Sequence, residues 1–333
     1  MKTSDFEYNL PQELIAQEPV EPRDSSRLMV LDREHRAVVH HVFSRLPDIL
    51  NSGDVLVFNN SRVLPARIHG NRAGTGGSVE ILLLKRLDIN TWEVMAKPAR
   101  KLKTGEVVEI PPVGVTAVVI EEKEEGIRIV RFSSEEMLFE AGEMPLPPYI
   151  HKPLDNGERY QTVYSKILGS AAAPTSGLHF TPVLIQKLQE RGIETHFVTL
   201  HIGLDTFRPI STENPCEHAI HTEYGQIARE TALQINTARQ EGRRIIAVGT
   251  STARLLEQAA GAEGYKGWVS LYILPGYQYK VVDALITNFH LPRSTLLMLV
   301  SAFAGREFVL QAYQEAIKNQ YRFYSFGDAM LIL

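Results

Sequence analysis

The hydrophobic positions change period along the chain. Between Arg27 and Asn60 they gather into the short apolar runs LMVLD, AVVHHVF and VLVFNN, with the turn-like DILNSGD before the last. Short β-branched runs bounded by Asn, Asp and Gly predict strands. From about Ala66 to Tyr149 the texture turns to alternation, in RIHGN, SVEILLLKRL, TWEVMAKPA, EVVEI, VTAVVIEEK and GIRIVRF, separated by AGTGG, KTG and EEG. Closely spaced alternating strands with such turns predict a compact β-barrel or sandwich. A short helix over Glu135–Glu140 and a proline-rich exit, MPLPPYI, follow.

Beyond Tyr149, helical spacing alternates with apolar runs. TPVLIQKLQERG is a helix opened by Thr181 or Pro182, with Leu184, Ile185 and Leu188 on one face and Gly192 as its stop. Ile193–Ile202 is a strand, QIARETALQINTARQEG an amphipathic helix, RRIIAVGT a buried strand and STARLLEQAAG the next helix. WVSLYIL and ALITNF are strands, STLLMLVSAFAG a buried helix and REFVLQAYQEAIKNQ a surface helix, before YRFYSF and AMLIL. Strands separated by helices predict parallel pairing with right-handed crossovers. The organisation expected is an α/β domain formed by residues 1–65 and 150–333, with an inserted β-domain at 66–149.

Composition narrows the class. A hydrophobic content of 44% and a charged content of 22% over 333 residues suit two globular domains with ordinary cores. The single cysteine, Cys216, leaves no internal disulfide and fits a reducing compartment. The polar N-terminus has no signal-like apolar run, and no stretch approaches the ~18 apolar residues of a membrane span. A cytoplasmic location is expected. The net charge of −4 makes the whole molecule a poor sink for nucleic acid, though a local basic face suffices for one.

Polar groups cluster at predicted strand ends, where α/β proteins place ligands. Thr175, Ser176, His179, His201 and Asp205 sit on the loops flanking the helix and strand of 181–202. Asn59, Asn60, Ser61 and Arg62 end the VLVFNN strand, either facing a crevice or capping a turn. Gly249, Thr250, Ser251, Thr252 and Arg254 join a strand to a helix, which offers backbone N–H groups to an anion. No GxGxxG or GxxxxGK[ST] loop is present. Asp283, Thr287, Asn288, His290, Arg293 and Ser294 surround another strand-to-helix junction. His218, His221 and Glu223 lack HExxH or CxxC company, so no metal is expected, and Cys216 is a weak nucleophile candidate. Lys97, Arg100, Lys101 and Lys103 in the β-domain either meet phosphates or form a solvated hairpin. Phe180, Phe207, Tyr277, Tyr279 and Phe289 either stack on a flat base or belong to the core.

The motifs APTSGLHFT (173–181), VTLHIGLDTF (198–207), HTE (221–223), GTSTARLLE (249–257), PGY (275–277), VVDALITNFHLPRSTLLMLVSAFAG (281–305) and YSFGDAMLI (324–332) resemble the S-adenosylmethionine:tRNA ribosyltransferase-isomerases of queuosine biosynthesis. The resemblance spans essentially the whole chain, with Ser251-Thr252 where the family order is Thr-Ser. It implies a large Rossmann-like α/β domain carrying an inserted six-stranded antiparallel β-barrel. It implies transfer and isomerisation of the ribosyl moiety of S-adenosylmethionine onto 7-aminomethyl-7-deazaguanine at the tRNA wobble position. The products are epoxyqueuosine-tRNA, adenine and methionine. S-adenosylmethionine is then a consumed co-substrate with no other cofactor. The partners are the Asp, Asn, His and Tyr tRNAs, and the state is a monomer or weak homodimer off the membrane.

Against that chemistry, His179, His201, Asp205, Asp283 and His290 form the expected proton-transfer set. Arg293 and the Gly249–Thr252 turn suit the methionine carboxylate. Glu223 and Asp205 suit the sulfonium, and Phe180 or Phe289 a base. Thr175, Ser176, Arg254, Asn288 and Ser294 complete the expected substrate contacts, and Lys97, Arg100, Lys101 and Lys103 the tRNA contacts. The competing readings are a conventional RNA methyltransferase, which would release S-adenosylhomocysteine, and a non-enzymatic RNA-binding module.

Overall fold

A computed structural model describes residues 1–203 and 210–333. The strands are β1 (Arg27–Asp32), β2 (Ala37–Val42), β3 (Val55–Asn59), β4 (Ser61–Val63), β5 (Arg67–Arg72), β6 (Ser78–Asp88), β7 (Thr91–Lys97), β8 (Val107–Ile110), β9 (Val115–Glu122), β10 (Ile127–Phe132), β11 (Ile167–Ser170), β12 (Glu194–His201), β13 (Glu223–Ile227), β14 (Ile245–Val248), β15 (Tyr265–Val269), β16 (Ala284–Asn288) and β17 (Ala329–Ile332). The helices are α1 (Leu46–Ile49), α2 (Glu135–Glu140), α3 (Pro182–Glu190), α4 (Arg229–Gln240), α5 (Thr250–Gln258), α6 (Thr295–Ala304) and α7 (Arg306–Lys318). The chain divides into two compact units: Met1–Arg62, Pro148–Ile167 and Ala173–Leu333, and Val63–Pro147 with Leu168–Ala172. The pattern of alternation marks breaks near residues 66 and 149; the short return of Leu168–Ala172 to the smaller unit carries no such mark.

The smaller unit is a closed antiparallel barrel in the order β10-β7-β6-β5-β8-β9. Alternation builds it. Val79, Ile81 and Leu83 of β6 point inward with Trp92, Val94 and Ala96 of β7 and Val115, Ala117 and Val119 of β9, while their sequence neighbours face outward.

The larger unit is a nine-stranded sheet in the order β15-β13-β12-β3-β14-β16-β17-β1-β2. Its central strands are buried on both faces, which is why they read as continuous apolar runs. Leu56, Phe58, Ile246 and Val248 face α3 residues Leu184 and Leu188. Val55, Val57, Ile245 and Ala247 face the opposite layer, where α4 to α7 pack. Thr181 caps α3, accepting the Leu184 N–H through its hydroxyl at 3.1 Å. Gly305 ends the buried α6 with φ +86, and α7 leaves at 112°. No single helix is long and apolar enough to cross a membrane.

Pairing is parallel through the centre, for β12, β3, β14 and β16. β17 is antiparallel to β16 and parallel to β1, and β12, β13 and β15 pair antiparallel. The expected parallel pairing does not extend to β13, whose last residues Gln226 and Ile227 fall inside the predicted helix QIARETALQINTARQEG. Gly225, Gln226 and Ile227 pair with Gly267, Lys266 and Tyr265, and the helix begins only at Arg229.

Candidate active site

The carboxyl ends of β12, β3, β14 and β16 share one edge of the sheet. The segments entering β17 and β1 reach that same edge because β17 reverses direction. An open cleft runs along it, the place where open α/β sheets take ligands. Its wall holds Thr175, Ser176, Glu223, Gly249, Thr250, Ser251, Arg254, Asn288, Phe289, His290, Ser294, Tyr149, Tyr324 and Ser325.

Gly249 turns the chain from β14 into α5. Its φ of +93 suits glycine, and it has no side chain to cap the first turn. One turn further on, Arg254 is 5% exposed. Its Nη1 donates to Glu223 Oε2 at 2.7 Å and its Nε to the Leu271 carbonyl at 3.1 Å. Glu223 Oε1 accepts the Gly203 N–H at 3.0 Å and lies 3.1 Å from His221 Nε2. Burial alone would raise the Glu223 carboxyl, but His221, Arg254 and the Gly203 N–H together hold it below the usual range.

His290 follows β16. Its backbone is clasped by tyrosines: its N–H donates to the Tyr313 hydroxyl at 2.9 Å and its carbonyl accepts from the Tyr8 hydroxyl. Its Nε2 lies 2.8 Å from Thr287 Oγ1, and Nδ1 takes no part in this hydrogen bond. Burial pushes the imidazole down to about 3, so the ring is neutral at pH 7.

Tyr149 and Tyr324 in the wall have ring centroids 4.8 Å apart. Tyr149 Oη lies 2.7 Å from Ser325 Oγ. Tyr324 has φ +71, an uncommon conformation for a bulky residue, and its carbonyl accepts the Asn288 amide at 2.8 Å.

A queuosine biosynthesis protein family model matches residues 3–332. The chain is 55% identical to an S-adenosylmethionine:tRNA ribosyltransferase-isomerase from Dehalococcoides mccartyi, and 52% identical to one from Desulfitobacterium hafniense. Each comparison covers 100% of both chains. The chain belongs to this family. The crystal structure of an S-adenosylmethionine tRNA ribosyltransferase from Thermotoga maritima superposes with a TM-score of 0.59. It shares 42% identity over 99% of this chain and 100% of that one.

The fold thus places many, but not all, of the expected site residues of this queuosine-family chain in the cleft. Thr175, Ser176, Glu223, Gly249, Thr250, Ser251, Arg254, Asn288, Phe289, His290 and Ser294 line it. Thr252 turns inward and its hydroxyl donates to the Val248 carbonyl at 2.7 Å. Phe180 is 0% exposed, between Phe43 and Phe58 at 5.0 and 4.9 Å, so it has no face to offer a base. Phe289 also packs into the core, on Tyr313, Tyr321 and Phe323. Asp283 lies at the opposite edge of the sheet, before β16 begins, where its Oδ2 accepts the Ile245 N–H at 2.8 Å. Tyr277 and Tyr279 stand at that far edge with it.

Arg293, with φ +54, is directed to Glu7 and Glu213 at 3.8 and 3.9 Å rather than into the cleft. His201 ends β12, and burial lowers its pKa; it is not among the cleft residues. His179 lies behind the wall, bonded to Ser26 and Asn288. Asp205 and Phe207 fall outside the described residues. His218 stands against Tyr272, and no cluster of three metal-ligating side chains occurs among the described residues.

Tyr149 and Tyr324 escaped the site reading, although MPLPPYI and YSFGDAMLI contain them. In the barrel unit, Lys97, Arg100, Lys101 and Lys103 are all exposed, with Lys103 paired to Glu122 at 3.2 Å. Arg128 organises this loop from below. Its Nε and Nη2 donate to the carbonyls of Leu102 and Ala99, both at 2.7 Å.

Proposed function

We propose that this chain transfers and isomerises the ribosyl moiety of S-adenosylmethionine onto the aminomethyl group of 7-aminomethyl-7-deazaguanine at the tRNA wobble position. Epoxyqueuosine-tRNA forms, and adenine and methionine leave. Full-length identity above half to named ribosyltransferase-isomerases carries this reading. S-adenosylmethionine is consumed as a co-substrate.

Several groups in the cleft suit that chemistry. A sulfonium acidifies the neighbouring ribose C5′–H, and His290, whose imidazole lines the wall, is the base proposed for it. Tyr149 and Tyr324 offer the aromatic surface for a flat base. Thr175, Ser176, Asn288 and Ser294 supply hydroxyl and amide contacts. On the barrel, the Lys97–Lys103 loop neutralises tRNA phosphates.

Mass spectrometry of the products tests the reading. The protein is incubated with S-adenosylmethionine and tRNA carrying 7-aminomethyl-7-deazaguanine. Adenine and methionine in equal amounts, with epoxyqueuosine in the RNA, are expected. S-adenosylhomocysteine in their place would identify a methyltransferase instead.

A further inference from the structure

Arg254 presents a guanidinium with one arm unused. Nε and Nη1 are bonded to the Leu271 carbonyl and Glu223, yet Nη2 is buried without a hydrogen-bond partner. Buried donors are almost always paired, so a lone one in a cleft wall points to an acceptor arriving with a ligand. Its position on α5 narrows the acceptor. Helical side chains lean toward the N-terminus, and residues four apart share a face. Arg254 is therefore carried back over Thr250 at the uncapped start of α5, where the first-turn N–H groups and the positive end of the helix dipole face the same cleft.

We propose that the α5 N-terminus and Arg254 together form a carboxylate subsite, and that it takes the methionyl carboxylate of S-adenosylmethionine. The inference rests on the ribosyl-transfer reading above. Glu223 occupies one arm of the fork and offsets its charge, so the subsite selects by directed hydrogen bonds more than by net attraction. Glu223 is thereby a positioning residue. Both its oxygens are committed to Gly203, His221 and Arg254, which leaves it poorly placed to meet the sulfonium. Arg293 faces Glu7 and Glu213.

The test is calorimetric binding of S-adenosylmethionine and of its decarboxylated analogue, which keeps the adenosine, sulfonium and amine. The full-length protein should prefer the carboxylated ligand by about tenfold or more, the worth of a charge-assisted hydrogen bond. The Glu223→Gln/Arg254→Gln double variant removes both charges at similar volume and should bind the two ligands about equally. Should it fail to fold, Arg254→Lys, which keeps the charge and loses the fork, should weaken only the carboxylated ligand. A full preference persisting in the folded variant overturns the subsite. Absence of any S-adenosylmethionine binding by the unaltered protein overturns the ribosyl-transfer reading beneath it.

Discussion

His179 Nε2 stands 3.2 Å from Asn288 Oδ1, with both residues buried. The Asn288 amide nitrogen donates to the Tyr324 carbonyl, so Oδ1 can only accept and His179 Nε2 must carry the proton. Nδ1 then accepts from the Ser26 hydroxyl at 2.8 Å. Burial lowers the ring to about 4, which keeps it neutral in this tautomer. With both nitrogens engaged behind the wall, His179 orients Asn288 and, through it, the left-handed Tyr324.

His179→Gln should accordingly lower turnover by about 10- to 100-fold through misplacement of the wall, while the limbs of the kcat–pH profile stay where they are. Loss of one limb would mean that His179 itself exchanges a proton with substrate.

The opposite split is expected at His290, which lines the cleft. His290→Asn should cut turnover by about 10²- to 10⁴-fold with S-adenosylmethionine affinity nearly unchanged in calorimetry. Near-normal turnover would remove it from the proton-transfer chemistry.

These two histidines also set an acid limit on stability. Their folded values of about 4 and about 3 lie below the ordinary 6.5, so below pH 6.5 the unfolded chain binds protons that the native one refuses. Stability contributed by each is complete above pH 6.5 and falls as pH drops toward the folded values, by on the order of 1 kcal/mol per pH unit per histidine. Melting temperatures from pH 7 to pH 4 check this. The His179→Gln and His290→Asn variants should each show a shallower decline, and an unchanged slope would refute the linkage.

On the barrel, replacing Lys97, Arg100 and Lys101 together by Ala should weaken tRNA binding and reduce the slope of log affinity against log salt by about 2 to 3. S-adenosylmethionine binding should not move. An unaltered salt slope would place the tRNA phosphates elsewhere.

Phe180→Leu separates packing from recognition. The residue fills the core between Phe43 and Phe58, so the change should cost stability on the order of 1 kcal/mol and leave KM for S-adenosylmethionine untouched. A selective rise in KM would restore Phe180 to base stacking.

Periodicity by itself determined most elements, because burial imposes its spacing locally. The alternating runs from RIHGN to GIRIVRF became the barrel, and the runs VLVFNN, RRIIAVGT and ALITNF became β3, β14 and β16. The dense polar junctions at 249–254 and 287–290 were legible too, since strand ends in such folds open onto a ligand edge. Strand direction was not legible: whether β17 runs with or against β16 depends on partners distant in sequence. Nor was the side that each polar or aromatic residue faces. Asp283 and Asn288 belong to one short segment, yet they stand at opposite edges of the sheet. Phe180 in APTSGLHFT and Tyr324 in YSFGDAMLI are both aromatic, yet one is sealed in the core and the other walls the cleft. Local sequence sets the period of an element, whereas only its packing against the rest of the chain decides which end and which face meet a ligand.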